Sequence, residues 1–204
     1  MNYKEAKSPD DAFLIRSGKI FIWGEIDEES SEKFVRNIRY AISKGMKEIY
    51  VYISSYGGDV DCACAIIDEI NGAKKLGINV SIVALGKAYS AAAYILTFGS
   101  EKYATENTTI MFHPILFDLD LDYVDAQKSY TIFSDKKYRD LITSVAKNCG
   151  YKTKKDIESF MSSIKDGMWL DVKMAISQNV IDDVWVYSWE KQSKQWDANR
   201  TNML

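Results

Sequence analysis

Apolar positions along the chain change their period repeatedly, and the changes predict alternating strands and helices. Residues 19–23 (KIFIW) are β-branched and aromatic and stop at Gly24, which predicts a strand. Residues 28–44 place Phe34, Ile38, Ala41 and Ile42 at helical spacing, with Gly45 as the stop. Residues 48–54 (EIYVYIS) form a nearly continuous apolar run, which suits a strand covered on both faces. A turn at Ser55-Tyr56-Gly57-Gly58 ends it. A helix over 60–76 follows from Ala63, Ile66, Ile67 and Ile70, closed by Gly77. Residues 79–85 (NVSIVAL) are another buried strand before Gly86, 90–98 (SAAAYILTF) a short apolar helix, and 108–113 (TTIMFH) a strand. Helices are predicted over 121–148, 154–163 and 171–178, then a last strand over 184–189 and a polar, poorly ordered tail over 191–204. Strand–helix alternation with short connections means an α/β fold with parallel pairing and right-handed crossovers.

Composition narrows the class. The 204 residues carry 26 Lys+Arg against 29 Asp+Glu, a net charge of -3, which argues against nucleic acid as a partner. Apolar residues are 47% and charged residues 27%, both near the globular average, so the chain can build a core and bulk disorder is not expected. No run approaches the length of a membrane span, so no membrane partner is expected. The stretch MNYKEAKSPDDAF lacks the apolar centre of a signal peptide, and three cysteines (Cys62, Cys64, Cys149) fit free thiols in a reducing cytoplasm. Cys62-x-Cys64 has no further ligands at zinc spacing, so no metal and no cofactor is expected, and the thiols read as apolar fillers. With two prolines and no Gly/Ser-rich linker, residues 1–204 read as one domain with its core over about 18–188.

Three places could carry chemistry. Gly57-Gly58 lies between a buried strand and a helix, at the carboxyl end of a strand, where ligands bind in open α/β sheets. It matches no phosphate-loop pattern, so it is either a tight turn or a place where backbone N–H groups face a bound oxygen. Ser90 opens an apolar helix. It is either an ordinary N-cap or a nucleophile whose oxyanion the N–H of Ala91 would stabilise. His113, the single histidine, ends a strand before Pro114. Any imidazole-dependent serine chemistry in this chain must use it.

Together, YISSYGG (52–58), GKAYSAAAYIL (86–96) and IMFHP (110–114) resemble the proteolytic subunit of the Clp protease. The segment from Trp169-Leu170-Asp171 to Val184 is similar to that family's last helix and strand, and the resemblance covers about 18–188. It implies the ClpP/crotonase fold, stacked β-β-α units with a projecting helical handle. It implies Ser90 as nucleophile, His113 as general base, and the N–H groups of Gly58 and Ala91 as the oxyanion hole. The family's Asp falls on Gly167 here, so Asp166, one residue earlier, is the expected third member. Asp118, Asp120 or Asp122 could supply the carboxylate instead, or it could be absent; Asp171 is expected to cap a helix. Tyr56 replaces the family's Pro, Pro114 comes one position early, and ILFDLDLDYVDA replaces a glycine-rich stretch that binds substrate as a strand. Its period-two alternation still permits a strand there.

The resemblance implies a serine endopeptidase acting on polypeptides in a homo-oligomer, heptameric or tetradecameric rings, with an ATP-dependent unfoldase as a candidate partner. Clp-like peptidases of bacteriophage head assembly are also similar. Two other readings remain open: a weak or inactive structural subunit of such a ring, and a crotonase-type acyl-CoA enzyme. Trp185, Trp189 and Trp196 are expected to add to an aromatic surface used in assembly.

Overall fold

A computed structural model describes residues 14–115 and 124–186. The strands are β1 (Lys19–Ile26), β2 (Glu48–Gly58), β3 (Asn79–Tyr89), β4 (Glu101–Ala104), β5 (Thr109–Phe112), β6 (Met168–Leu170) and β7 (Asp183–Val184). The helices are α1 (Glu28–Ser43), α2 (Val60–Lys75), α3 (Ala91–Leu96), α4 (Val124–Asn148), α5 (Lys154–Ser163) and α6 (Val172–Ser177). Strands and helices alternate as far as α3 and the pairings through β5 are parallel, as the periodicity predicts.

Alternation along each strand decides what the sheet buries. Ile20, Ile22, Val51, Ile53, Val80, Ile82 and Ala84 are buried and join one core with Phe34 and Ile38 of α1 and Ile66 and Ile70 of α2. The opposite positions put Phe21, Trp23, Tyr50, Tyr52, Tyr56 and Tyr89 on the other face. Phe21 stacks on Tyr52 at 5.1 Å, and Trp185 sits half-buried within 6.2 Å of the Tyr50, Tyr52 and Tyr103 rings. That placement makes Trp185 part of a cluster rather than a loose surface ring. Helix ends are capped as their sequences suggest. Asp27 accepts from the Ser30 N–H at 2.8 Å while Ser30 Oγ accepts from the Asp27 N–H at 2.9 Å, and Asp171 accepts from the Met174 N–H at 2.8 Å.

The sheet runs β1-β2-β3-β4-β7, and β5 leaves this path to pair with β3 and β6. One strand serves both parts. The first half of β3 pairs with β4 through Ser81–Ala84, and its second half pairs with β5 through Lys87–Tyr89. The register slips between Trp23 and Glu25 in β1 and between Ile53 and Ser55 in β2, next to Gly24 and level with Gly86 of β3. Gly24 (φ 87°) and Gly86 (φ 72°) hold left-handed backbone, which lets the strands bend there without strain.

This bend corrects two expectations. The segment Ser55-Gly58 is not a turn, because β2 continues through it, with Glu25↔Gly57 and Ile26↔Gly58 in register. Likewise β3 runs past Gly86 to Tyr89. β4 and β6 were not expected, and β7 occupies two residues, Asp183–Val184, with β4 as its partner. The proposed strand over 116–123, the residues Asp118, Asp120 and Asp122, and the tail with Trp189 and Trp196 lie outside the described residues. Among the described residues no helix is long and apolar enough to cross a membrane, and no group of His, Cys, Asp and Glu could hold a metal ion.

Candidate active site

The second, bent half of the sheet gathers the residues singled out in the sequence. Ser90 directly follows β3, His113 directly follows β5, and these strands are neighbours with Tyr89↔Met111 in register. The Ser90 N–H donates to Met111 O at 2.8 Å. Ser90 therefore leaves the sheet level with the strand that delivers His113 two residues later, about 7 Å farther along at the usual rise.

Ser90 does not behave as an N-cap. A capping serine has extended backbone and accepts from an N–H of the first turn. Here Ser90 has φ 54° and ψ -123°, and its side chain makes no capping hydrogen bond. A left-handed backbone on a residue with a Cβ costs on the order of 1–3 kcal/mol and survives only where its surroundings enforce it. The sharp strand-to-helix turn leaves the hydroxyl uncommitted at the start of α3, whose first intrahelical bond is Tyr94 N–H to Ser90 O at 3.1 Å. The N–H of Ala91 lies ahead of that bond and is not consumed by the helix.

The glycine pair packs on this corner. A Cβ on Gly57 (φ 97°) would stand 2.7 Å from Tyr89 O, 2.8 Å from Ser90 Cβ and 3.1 Å from Ala91 N, so only glycine fits. Gly57 is buried, while Gly58, at φ 149°, is exposed beside it. Gly57 thus brings the end of β2 against the start of α3, while Gly58 lies against the Ile26 backbone of β1. The N–H groups proposed for an oxyanion, those of Gly58 and Ala91, belong to these two touching segments.

His113 is half-buried, and its Nδ1 lies 2.6 Å from Pro114 O. A carbonyl oxygen can only accept, so Nδ1–H donates, and in the neutral ring Nε2 carries the lone pair. That tautomer leaves a base on the ring's far side. The His113 carbonyl, beyond the end of β5, accepts from the Tyr94 hydroxyl. Sequence reading missed this tyrosine. The available signal was a phenol in an otherwise wholly apolar helix, since a buried hydroxyl must find a partner.

Asp166 is exposed, and no hydrogen bond at the described site joins it to His113. β6 pairs antiparallel with β5, Phe112↔Met168 being the last match. Continuing that register sets Gly167 opposite His113 and Asp166 one step beyond. Gly167 has φ 88°, so the chain turns sharply there. The thiols do not compete as nucleophiles. Burial pushes Cys149 up to about 12 and raises Cys64, which keeps both protonated. Just past His113, Pro114 and Ile115 open into a groove of about 160 Å³, floored by Tyr138, Ile142, Met161 and Ile164, with Asp135 and Arg139 also on its wall.

An α/β sheet with this corner points to a class, and comparison with known proteins defines it. The family described as Clp protease matches residues 4–188, so the chain belongs to the Clp protease family and is a ClpP-like peptidase with the ClpP fold. It is 26% identical over 176 residues to the ATP-dependent Clp protease proteolytic subunit 1 of Rhodopirellula baltica, an overlap of 84% of this chain and 73% of that protein.

Proposed function

We propose that the chain is a serine endopeptidase that cleaves polypeptides through an acyl-enzyme inside a ring-shaped oligomer. The observation that carries this reading is Ser90, held at φ 54° with its hydroxyl spent on no cap, beside the strand that ends at the one histidine. Ser90 Oγ attacks the peptide carbonyl while His113 Nε2 takes its proton, then returns it to the leaving amine. The developing oxyanion sits between the N–H groups of Gly58 and Ala91, and water then releases the acyl half. The groove beyond Pro114 receives an apolar side chain of the substrate.

Asp166 enters as an outer acidic member. Pro114 O already sets the imidazole tautomer at 2.6 Å, so Asp166 supports the imidazolium through space rather than by holding Nδ1. Free thiols at Cys62, Cys64 and Cys149 fit a reducing, cytoplasmic setting. The curated relative's name includes ATP dependence, which supports an ATP-driven unfoldase as partner for folded substrates. A substituted third member also favours a second reading, a weak subunit within a ring, and one experiment separates the two.

A fluorophosphonate probe should modify Ser90 of the assembled protein at neutral pH. Ser90→Ala should abolish labelling, His113→Ala should slow it at least about a thousandfold, and Asp166→Asn should slow it less than about tenfold. Mass spectrometry of the labelled peptide reads all three. An assembled protein that takes no label would overturn the peptidase reading in favour of the inactive subunit.

A further inference from the structure

We infer that Tyr94 is a positioning residue that ties the base to the nucleophile, an inference that rests on the peptidase reading above. Tyr94 is fully buried in α3, four residues after Ser90. Its main-chain N–H donates to Ser90 O at 3.1 Å, and its hydroxyl donates to His113 O. One residue therefore holds the main chain of both reacting groups.

The hydroxyl is not there for packing. The Tyr94 ring stacks on Phe112 at 6.1 Å between centroids, and a phenylalanine would fill the same space. Burying a phenol oxygen is unfavourable unless it is bonded, and the partner it meets is the main-chain carbonyl of the base itself. That carbonyl has no ladder partner, because β5 ends at Phe112, and the next residue, Pro114, carries no N–H to brace the chain. The ladder to β6 holds the strand as far as Phe112, and beyond it the Tyr94 hydroxyl is the bond that holds the His113 carbonyl. Burial also drives the phenol's pKa far above its ordinary value, so the hydroxyl stays a donor throughout any working pH. Among the described residues the partner of His113 Nδ1 is a carbonyl, not a carboxylate, so the ring's aim rests on backbone contacts: Pro114 O orients the ring and Tyr94 fixes the main chain beneath it. A shift of about 1 Å in a reacting group can cost about a hundredfold in rate, which gives this bond its leverage.

The test compares three full-length proteins by peptide hydrolysis and Ser90 labelling: wild type, Tyr94→Phe, and Tyr94 replaced by 4-aminophenylalanine, which restores an N–H donor at the ring's tip. Tyr94→Phe should lower kcat and the labelling rate about ten- to a hundredfold, with KM within about twofold and assembly unchanged. The amino analogue should recover much of the lost rate. Wild-type kcat in Tyr94→Phe would overturn the inference. So would an equal loss in both variants accompanied by a lower melting temperature, since that is the mark of packing. If Ser90→Ala abolishes labelling while Tyr94→Phe labels normally, the peptidase reading stands and only this inference falls. A wild-type protein that takes no label removes both.

Discussion

Gly57 and Gly86 both hold left-handed backbone, at φ 97° and 72°, yet their surroundings differ completely. A Cβ at Gly86 would meet nothing within 4 Å, whereas at Gly57 it would press on Tyr89 O and Ser90 Cβ. Both alanine substitutions should lose about 1 kcal/mol from the unfavourable backbone alone. Only Gly57→Ala must also move the corner that carries Ser90 and the N–H of Ala91. Its Ser90 labelling rate should fall at least about a hundredfold, the usual effect of losing one oxyanion donor, while Gly86→Ala stays within about threefold of wild type. Labelling rates and thermal melts of the two variants check this. Similar rates in both would show that the tight contact at Gly57 serves folding only.

Among the elements, the long periodic ones were readable and the short ones were not. Helix α5 occupies Lys154–Ser163 as the spacing predicts, because a capping Thr153, Asp156 and an apolar stripe all agree locally. β4 (EKYA) and β6 (MWL) are too short to show a period, and each is a strand because a partner, β3 or β5, offers an edge. The residues of the candidate site were legible by type and order, since a lone histidine and a glycine pair stand out. Their conformations were not. The φ of Ser90 does not follow from local propensity, because the turn is set between β5, to which the Ser90 N–H bonds, and Gly57 of β2. The Pro114 bond to His113 depends on a ring orientation that no propensity specifies.

Lys102 shows what one short element can tie together. From β4 its Nζ donates to Asn148 O at 3.0 Å, ending α4, and to Asn179 O at 3.1 Å, just past α6. Asp182 Oδ1 lies 3.6 Å from the same Nζ, and the Lys102 side chain is 10% exposed. A cation at two helix ends satisfies carbonyls that the helices leave unpaired. Lys102→Met keeps the aliphatic stem and removes the donors, so it should cost about 2 kcal/mol in denaturant unfolding while leaving Ser90 labelling of the folded protein unchanged. A neutral result would mean that water replaces the ammonium at both carbonyls.

At the scale of the whole molecule, the sheet is asymmetric: one face is sealed by α1 and α2, and the other carries aromatic rings. On that other face Trp23 is 68% exposed and Phe21 40%, both on the edge strand β1. Single exposed apolar residues are ordinary, but adjacent large rings continuing into stacked Tyr52 form a patch of the kind that marks an interaction surface. Assembly into a ring would give that patch a partner, and a charge placed there would oppose it through desolvation without touching the core. Sedimentation of the wild type should therefore give a species many times the 23.3 kDa of one chain. Trp23→Glu should dissociate it into smaller species with a native circular dichroism spectrum, and peptide hydrolysis should fall with the loss of assembly. The mutant bears on the surface and the wild type on the ring: an unchanged Trp23→Glu complex would move the interface elsewhere, and a wild-type monomer with full activity would remove the ring altogether.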